Sequence, residues 1–441
     1  MIPAAEPNRQ LPDGSGAGSD WIRLHPLTPL LRGGRFALLL LALVGQQGLR
    51  GSAGEAAILL LGLGVPLAVL GGYLSWRAMR YRVTDTELQV ESGIFTTRSR
   101  RVPLARVQAV DVVRPFYARL LGLAELRLEV VGGGDSEAPL AFLDDDDAAR
   151  LRTRLLDLAA GRSSADTATP AEPEQVLVVV PTGPLIWSTL LGAPLVTVLL
   201  LLLALPVSAA VDRETAGGLA FAAVPLLLGV GSFAVRRVLS EYGFSVAESP
   251  DGLRLRHGLL DTRSQTIPAG RIQIVRVLEP LLWRPFGWVR VEVDVAGYSG
   301  GGDDQAATGA LLPVAPRELA ERLVARVLGA EPPPPVLRAP RAAWFRAPLS
   351  YRRLGIGLDA AHFVASRGVV TTTTDIVPLA KVQSLRVTQG PWQRRLGLSS
   401  LHVDAAGRRL PGAVARHRRT AEVAALLTDA TALARTARTR G

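Results

Sequence analysis

Four long, uncharged, largely apolar runs punctuate a chain whose remaining stretches alternate apolar and polar positions. The runs cover residues 36–49, 56–76, 185–211 and 217–235. A helix rises 1.5 Å per residue, so ~20 apolar residues cross a hydrocarbon core of ~30 Å. The last three runs reach that length, and the first does so when extended back through Gly33 and Gly34. Short polar turns, RGSAGE at 50–55 and DRET at 212–215, join them in pairs. Four membrane helices in two hairpins are expected. Pro66, Pro194 and Pro225 lie inside the runs and predict kinks rather than breaks. Tyr73 and Trp76 stand where an interfacial aromatic belt belongs.

The alternating stretches carry an internal repeat. GIFTTRSRRVPLARVQAVDVVRPFYARLLG (93–122) returns without a gap as GLLDTRSQTIPAGRIQIVRVLEPLLWRPFG (258–287) and GVVTTTTDIVPLAKVQSLRVTQGPWQRRLG (368–397). Five positions hold their places in all three copies. They are Pro103, Pro268 and Pro378; Arg106, Arg271 and Lys381; Gln108, Gln273 and Gln383; Arg119, Arg284 and Arg394; and Gly122, Gly287 and Gly397. Repetition at fixed spacing marks one structural module used three times.

Each module opens with strand-like segments around a Gly turn and passes the Pro into a further strand. It then makes a short helical turn and continues in strands such as AELRLEVV at 124–131, whose alternation predicts a half-buried strand. An amphipathic helix closes each copy, for example DDDDAARLRTRLLDLAA (144–160), with acids in its first turn. The expected fold class is α+β: three small β-barrels or sandwiches, each closed by a C-terminal helix, plus four transmembrane helices. The strand–Gly–strand–Pro pattern with Arg-Val-Gln, the Leu-rich turn and the closing helix resemble the bacterial pleckstrin-homology-like (PH-like) domain. Two membrane hairpins, each followed by such a domain, with a third domain attached, are similar to the YdbT-type membrane proteins. The resemblance implies a membrane-anchored scaffold in envelope physiology, and it brings no catalytic residues.

The expected organisation is a disordered tail (1–34), hairpin 1 (35–78), PH-like domain 1 (79–162), a linker (163–182) and hairpin 2 (183–237). PH-like domain 2 (238–330), a Pro-rich linker (331–348) and PH-like domain 3 (349–441) follow. Arg32, Arg35, Arg77, Arg80, Arg82, Arg236 and Arg237 flank the hairpin bases, whereas the turns carry only Arg50 and Arg213. The positive-inside rule then places both termini and all three modules in the cytoplasm of a bacterial plasma membrane.

Composition adds three constraints. The chain lacks cysteine, which removes disulfides, thiolate metal sites and a Cys nucleophile. Its net charge of +11 is concentrated at the end: residues 335–441 hold 18 basic and 5 acidic residues, a net of +13. Such a segment suits a solvated surface or contact with anionic lipid. The basic run ARHRRT (415–420) has no interleaved aromatics, so nucleic acid is not an expected partner.

The five repeated positions read first as folding residues. Pro punctuates an edge strand, Gly ends the helical turn at positive φ, and Arg119, Arg284 and Arg394 cap that turn's carbonyls. Arg106, Arg271 and Lys381 satisfy carbonyls or cover apolar surface, and the three Gln face outward or bond backbone. Functional candidates are positions that differ between copies. Arg98, Arg100 and Arg101 cluster beside a membrane anchor and suit anionic headgroups, with Arg98 and Arg100 on one strand face and Arg101 on the other. The acidic run 144–147 reads as a helix start, 132–134 lacks the context of a phosphate loop, and the five His have no zinc spacing. No catalytic, metal or cofactor site is expected. An interaction scaffold leads, with an unknown protein partner or further copies of the chain. A transport accessory and a peripheral lipid sensor are the alternatives.

Overall fold

The computed structural model describes residues 21–23, 70, 73–74, 76–93, 98–104, 107–130, 138–159, 174–249, 252–268, 270–295, 309–407 and 410–440. It divides into two compact units, Met1–Ala171 and Glu172–Gly441. The first unit holds repeat 1; the second holds repeats 2 and 3.

Every repeat is built from seven strands. Repeat 1 contains β1 (Ile22–Arg23), β2 (Arg80–Val83), β3 (Glu87–Ser92), β4 (Arg98–Pro103), β5 (Val107–Arg114), β6 (Leu123–Val130) and β7 (Ala138–Asp144), closed by helix α1 (Asp145–Ala159). Its first four strands form an antiparallel sheet in chain order, and β5, β6 and β7 form a second antiparallel set. Repeat 2 begins with β8 (Gln175–Val179), leaves the sheet through α2 (Thr182–Leu190), α3 (Ala193–Val211) and α4 (Arg213–Glu241), and re-enters at β9 (Ser245–Ser249). It continues through β10 (Gly252–His257), β11 (Thr262–Ile267), β12 (Ile272–Pro280), β13 (Trp288–Val295), β14 (Ala310–Pro316) and closing helix α5 (Arg317–Leu328). Repeat 3 comprises β15 (Leu337–Arg338), β16 (Gly355–Leu358), β17 (His362–Arg367), β18 (Thr371–Pro378), β19 (Val382–Thr388), β20 (Leu398–Ala405), β21 (Ala413–Arg419) and α6 (Thr420–Arg440).

Period-two patterning explains the cores. On β6, Leu126 and Leu128 are fully buried, while Glu125 and Arg127 between them pair at 3.7 Å. The closing helices insert one stripe each: Ala148, Leu151 and Leu155 from α1; Ala320, Leu323 and Val324 from α5; Val423, Leu426 and Ala430 from α6. Before strands β6, β13 and β20 the chain turns at Gly122, Gly287 and Gly397, with φ of 69°, 63° and 65°. Those angles are open to glycine and strained for other residues.

Three expectations change. The strands form open sheets packed as sandwiches and do not close into barrels, because none of the sheets pairs its first strand with its last. Among the described residues two candidate spans appear instead of four, Thr182–Val211 and Arg213–Glu241, with mean hydropathies of 2.6 and 2.1. Most of hairpin 1 lies outside the described residues. Segments read as tail or linker also supply strands: β1 pairs β2, β8 pairs β9 and β15 pairs β16. Two to five residues are too few for alternation to announce a strand, so the ladders are settled by their partners.

Candidate functional site: the joint between repeats

Repeats 2 and 3 share one antiparallel sheet, in the order β14-β13-β12-β18-β17-β16-β15. The joint is the β12–β18 ladder, running from Val275↔Ile376 to Pro280↔Thr371. Apolar side chains cross it in both directions. Ile274 of β12 packs into the repeat 3 core, whereas Val364 and Ile376 of repeat 3 pack into the repeat 2 core. Both faces of β12 are thus buried, unlike a sandwich strand with one solvated face.

Polar residues fix the register. Arg276 lies opposite Asp375 and donates from Nε at 2.5 Å, and Arg367 approaches the same carboxylate at 3.3 Å. Asp375 is 1% exposed, and two guanidinium groups lie against its carboxylate, as a buried acidic side chain requires. Arg276 also donates to the Pro411 carbonyl at 3.3 Å, and the Leu410 N–H donates to buried Asp294 at 2.7 Å. Arg284 reaches across the joint to the Val369 carbonyl at 2.7 Å and the Thr372 hydroxyl at 2.8 Å. The expectation that Arg284 caps its own turn is corrected: its side chain is long enough to leave the turn and bond the hairpin of the next repeat.

A second arrangement seats the membrane helices on repeat 2. The Trp283 indole donates to the Ser188 carbonyl of α2 at 3.0 Å. At the base of α4, Glu241 accepts from Arg290 of β13 at 2.7 Å and from Arg237 at 3.2 Å, and Arg290 also bonds Glu292 at 3.1 Å. Repeat 3 places Gln393, Ser400 and His402 at the positions of Trp283, Arg290 and Glu292. There they line an open cavity of about 360 Å³ together with Arg346, Arg416 and Trp392.

Repeat 3 carries counterparts of the joint's residues, and no strand pairs with them among the described residues. β19 is the edge of the sheet β19-β20-β21. Arg386, at the position of Arg276, is 61% exposed and only 3.7 Å from Asp404, which stands where Asp294 stands in repeat 2. Arg394, the counterpart of Arg284, is exposed.

The other repeated positions are distributed as follows. Pro103 and Pro378 end β4 and β18, and Pro268 follows β11. Arg106 lies outside the described residues, and Gln108 lies in β5. Gln273 is buried and donates to the Arg271 carbonyl at 3.1 Å, whereas Gln383 is exposed and Lys381 ends a short 3-10 turn. Arg119 stacks over Phe116 at 5.9 Å. Arg98, Arg100 and Arg101 all sit on β4, the edge of the first sheet of repeat 1, and Arg100 and Arg101 are exposed. Sequence reasoning missed Asp375, Asp294, Arg276 and Trp283. The available signal was a lone acid ending the TTTTD run of repeat 3 where the other copies place Arg100 and Gln265.

Comparison with known proteins agrees with this geometry. A family model described as "Bacterial PH domain" matches residues 36–159, 189–332 and 333–434. The chain belongs to the bacterial PH domain family. Each match to this family's model contains one seven-strand copy or most of it. The chain is also similar to the "UPF0699 transmembrane protein YdbT" of Bacillus subtilis (strain 168), with 24% identity over 270 residues. That alignment covers 55% of this chain, and the chain spans about half (54%) of that relative's length. No solved structure matches the chain. Bacterial PH domains, a relative named as a transmembrane protein and two long apolar helices together make this a membrane-associated PH-domain protein.

Proposed function

We propose that the chain is a non-catalytic scaffold of the bacterial plasma membrane, with its PH modules and both termini in the cytoplasm, acting in envelope physiology. The observation that supports this reading is the open edge of β19. In repeat 2 the corresponding edge receives β18, and Arg276, Arg284 and Asp294 are all engaged in holding the incoming module. Repeat 3 presents Arg386, Arg394 and Asp404 at those positions, with no strand paired to them among the described residues. The chain uses this joint to add one module to another, and its last copy carries one half of it.

Charge indicates the partner. The Arg276↔Asp375 pairing, transferred to β19, sets a carboxylate opposite Arg386. β4 of a second copy would bring Arg100 to that place, and like charges directly opposite on neighbouring strands destabilise the pair. A separate polypeptide with an acidic strand therefore suits the edge better than head-to-tail copies of this chain. Main-chain pairing supplies affinity in such strand addition, and the cross-strand side chains supply selectivity. The excess of Arg at the hairpin bases supports the cytoplasmic orientation.

The test is a benzophenone side chain placed at Val387 on β19, which is 43% exposed, in the full chain in its native membrane. Irradiation is expected to give an adduct to a strand of another polypeptide carrying Asp or Glu, and Arg386→Glu is expected to abolish it. An adduct to a second copy, or no protein adduct, refutes the reading.

A further inference from the structure

Repeats 1 and 2 leave their first sheet at one place. The final ladder pair before the excursion is Arg23↔Arg80 in repeat 1 and Val179↔Ser245 in repeat 2. Repeat 3 has the same junction, Arg338↔Gly355, at the same position in the module. Between those strands, repeats 1 and 2 insert the segments 24–79 and 180–244, which hold the long apolar runs. Repeat 3 inserts only 339–354, built on two 3-10 turns, Arg341–Phe345 and Tyr351–Arg353.

This short segment has an unusual surface. Trp344 is 49% exposed, Phe345 72% and Leu349 83%, and the Trp344 and Phe345 rings meet edge to face at 5.2 Å. Five arginines lie in the same stretch: Arg338, Arg341, Arg346, Arg352 and Arg353. No acidic residue occurs between Glu331 and Asp359, and none of the five is ion-paired among the described residues. The guanidinium of Arg352 lies 5.8 Å over the Tyr351 ring, and Arg353 bonds the Thr372 hydroxyl at 3.4 Å. Large apolar side chains on a cationic stretch that itself holds no acidic residue match an interfacial membrane contact, in which rings enter the headgroup boundary and arginines take phosphates.

We propose that the segment 339–354 is a truncated counterpart of the hairpins and binds the surface of an anionic bilayer, with Trp344, Phe345 and Leu349 as its inserting residues. Repeat 3 is thereby held at the membrane at the point where its siblings enter it. Contact with lipid here is independent of what the β19 edge binds.

The cysteine-free chain makes the test direct. The full chain, with Phe345→Cys or Leu349→Cys carrying an environment-sensitive NBD fluorophore, is reconstituted in vesicles of phosphatidylglycerol and phosphatidylcholine. Thr436→Cys on the exposed face of α6 serves as the control. Labels at 345 and 349 are expected to emit blue-shifted light and to be quenched by phosphatidylcholine carrying a nitroxide near its headgroup. The label at 436 is expected to do neither. Arg341→Glu with Arg346→Glu is expected to return the label at 349 towards the emission seen in water, with the elution volume of the detergent-solubilised chain unchanged. Water-like emission at both sites would overturn the proposal, and so would a blue shift without lipid quenching, which would mean that protein covers the patch.

Discussion

Arg284 and Arg394 occupy one position of the repeat, yet the structure assigns them unequal weight. Arg284→Ala removes donors from the Val369 carbonyl and the Thr372 hydroxyl, two hydrogen bonds made by a charged group across the joint. Bonds of that kind contribute about 1.5–3 kcal/mol each when both partners are sequestered. Val369 and Thr372 are only partly buried, so water can re-satisfy them and the loss falls to about 1.5–3 kcal/mol in all. Arg394 bonds no neighbouring strand among the described residues, and an exposed substitution of that sort stays within about 0.5 kcal/mol. The assay is amide hydrogen exchange on the detergent-solubilised full chain, read by mass spectrometry on peptides covering β12 and β18. The adjacent Leu281 N–H, which donates to the Val370 carbonyl at 2.6 Å, reports directly on whether the joint is shut. Arg284→Ala is expected to speed exchange in both strands by roughly ten- to a hundredfold, following 1.4 kcal/mol per decade. Arg394→Ala should leave the pattern at its wild-type level. Equal effects from the two substitutions would refute the reasoning and restore the repeated Arg to a role within its own turn.

Two further outcomes follow from the same geometry. Asp375→Ala strands Arg276 and Arg367 beside an empty site and is expected to cost about 3–5 kcal/mol, measurable as a lower denaturant midpoint for repeat 3. Acidification should also weaken repeat 3. Burial holds His362 below the usual imidazole range despite nearby Asp359, and burial with nearby arginines does the same for His402 and His417. The unfolded chain then binds more protons than the folded one, so stability is complete above about pH 6.5 and declines as pH falls through that value towards the folded pKa values. A pH series of thermal midpoints that stays flat down to pH 5 would contradict this account.

Much of the architecture was legible because the module is written three times. Comparing copies exposes the strand–Gly–strand–Pro frame, the positive-φ glycines and the closing helices, all of which depend on local pattern. The joint was not legible, for a physical reason. Arg276 and Asp375 stand 99 residues apart in the chain and acquire meaning only through a ladder between two repeats. Nothing local to β12 distinguishes an edge strand from a central one except its apolar residues on both faces, Ile274 and Val275, and a bulge reads the same way. The short strands β1, β8 and β15 were hidden for a related reason, since each is defined by its neighbour rather than by its own periodicity. The candidates Arg98, Arg100 and Arg101 were visible as a cluster, but their common strand could be placed at a sheet edge only from the pairing. Trp344 and Phe345 fall in the segment read as a Pro-rich linker, with Leu349 just beyond it, and only the pairing of β15 with β16 places them inside the third module.

The shared sheet also sets a schedule for biosynthesis. β12 is complete when the chain has reached Pro280, but β18, which covers its outer edge, ends at Pro378. At ~5–20 residues per second, the ribosome needs roughly 5–20 s to deliver the missing strand. During that interval a nascent module displays an uncovered strand that is apolar on both faces, a recognised starting point for mispairing. The hairpin α2–α4, made earlier, already tethers repeat 2 to the membrane and limits which other chains it can meet. No strand covers β19 among the described residues, and charged Arg386 together with polar Gln383, Ser384 and Thr388 keeps that exposed edge soluble.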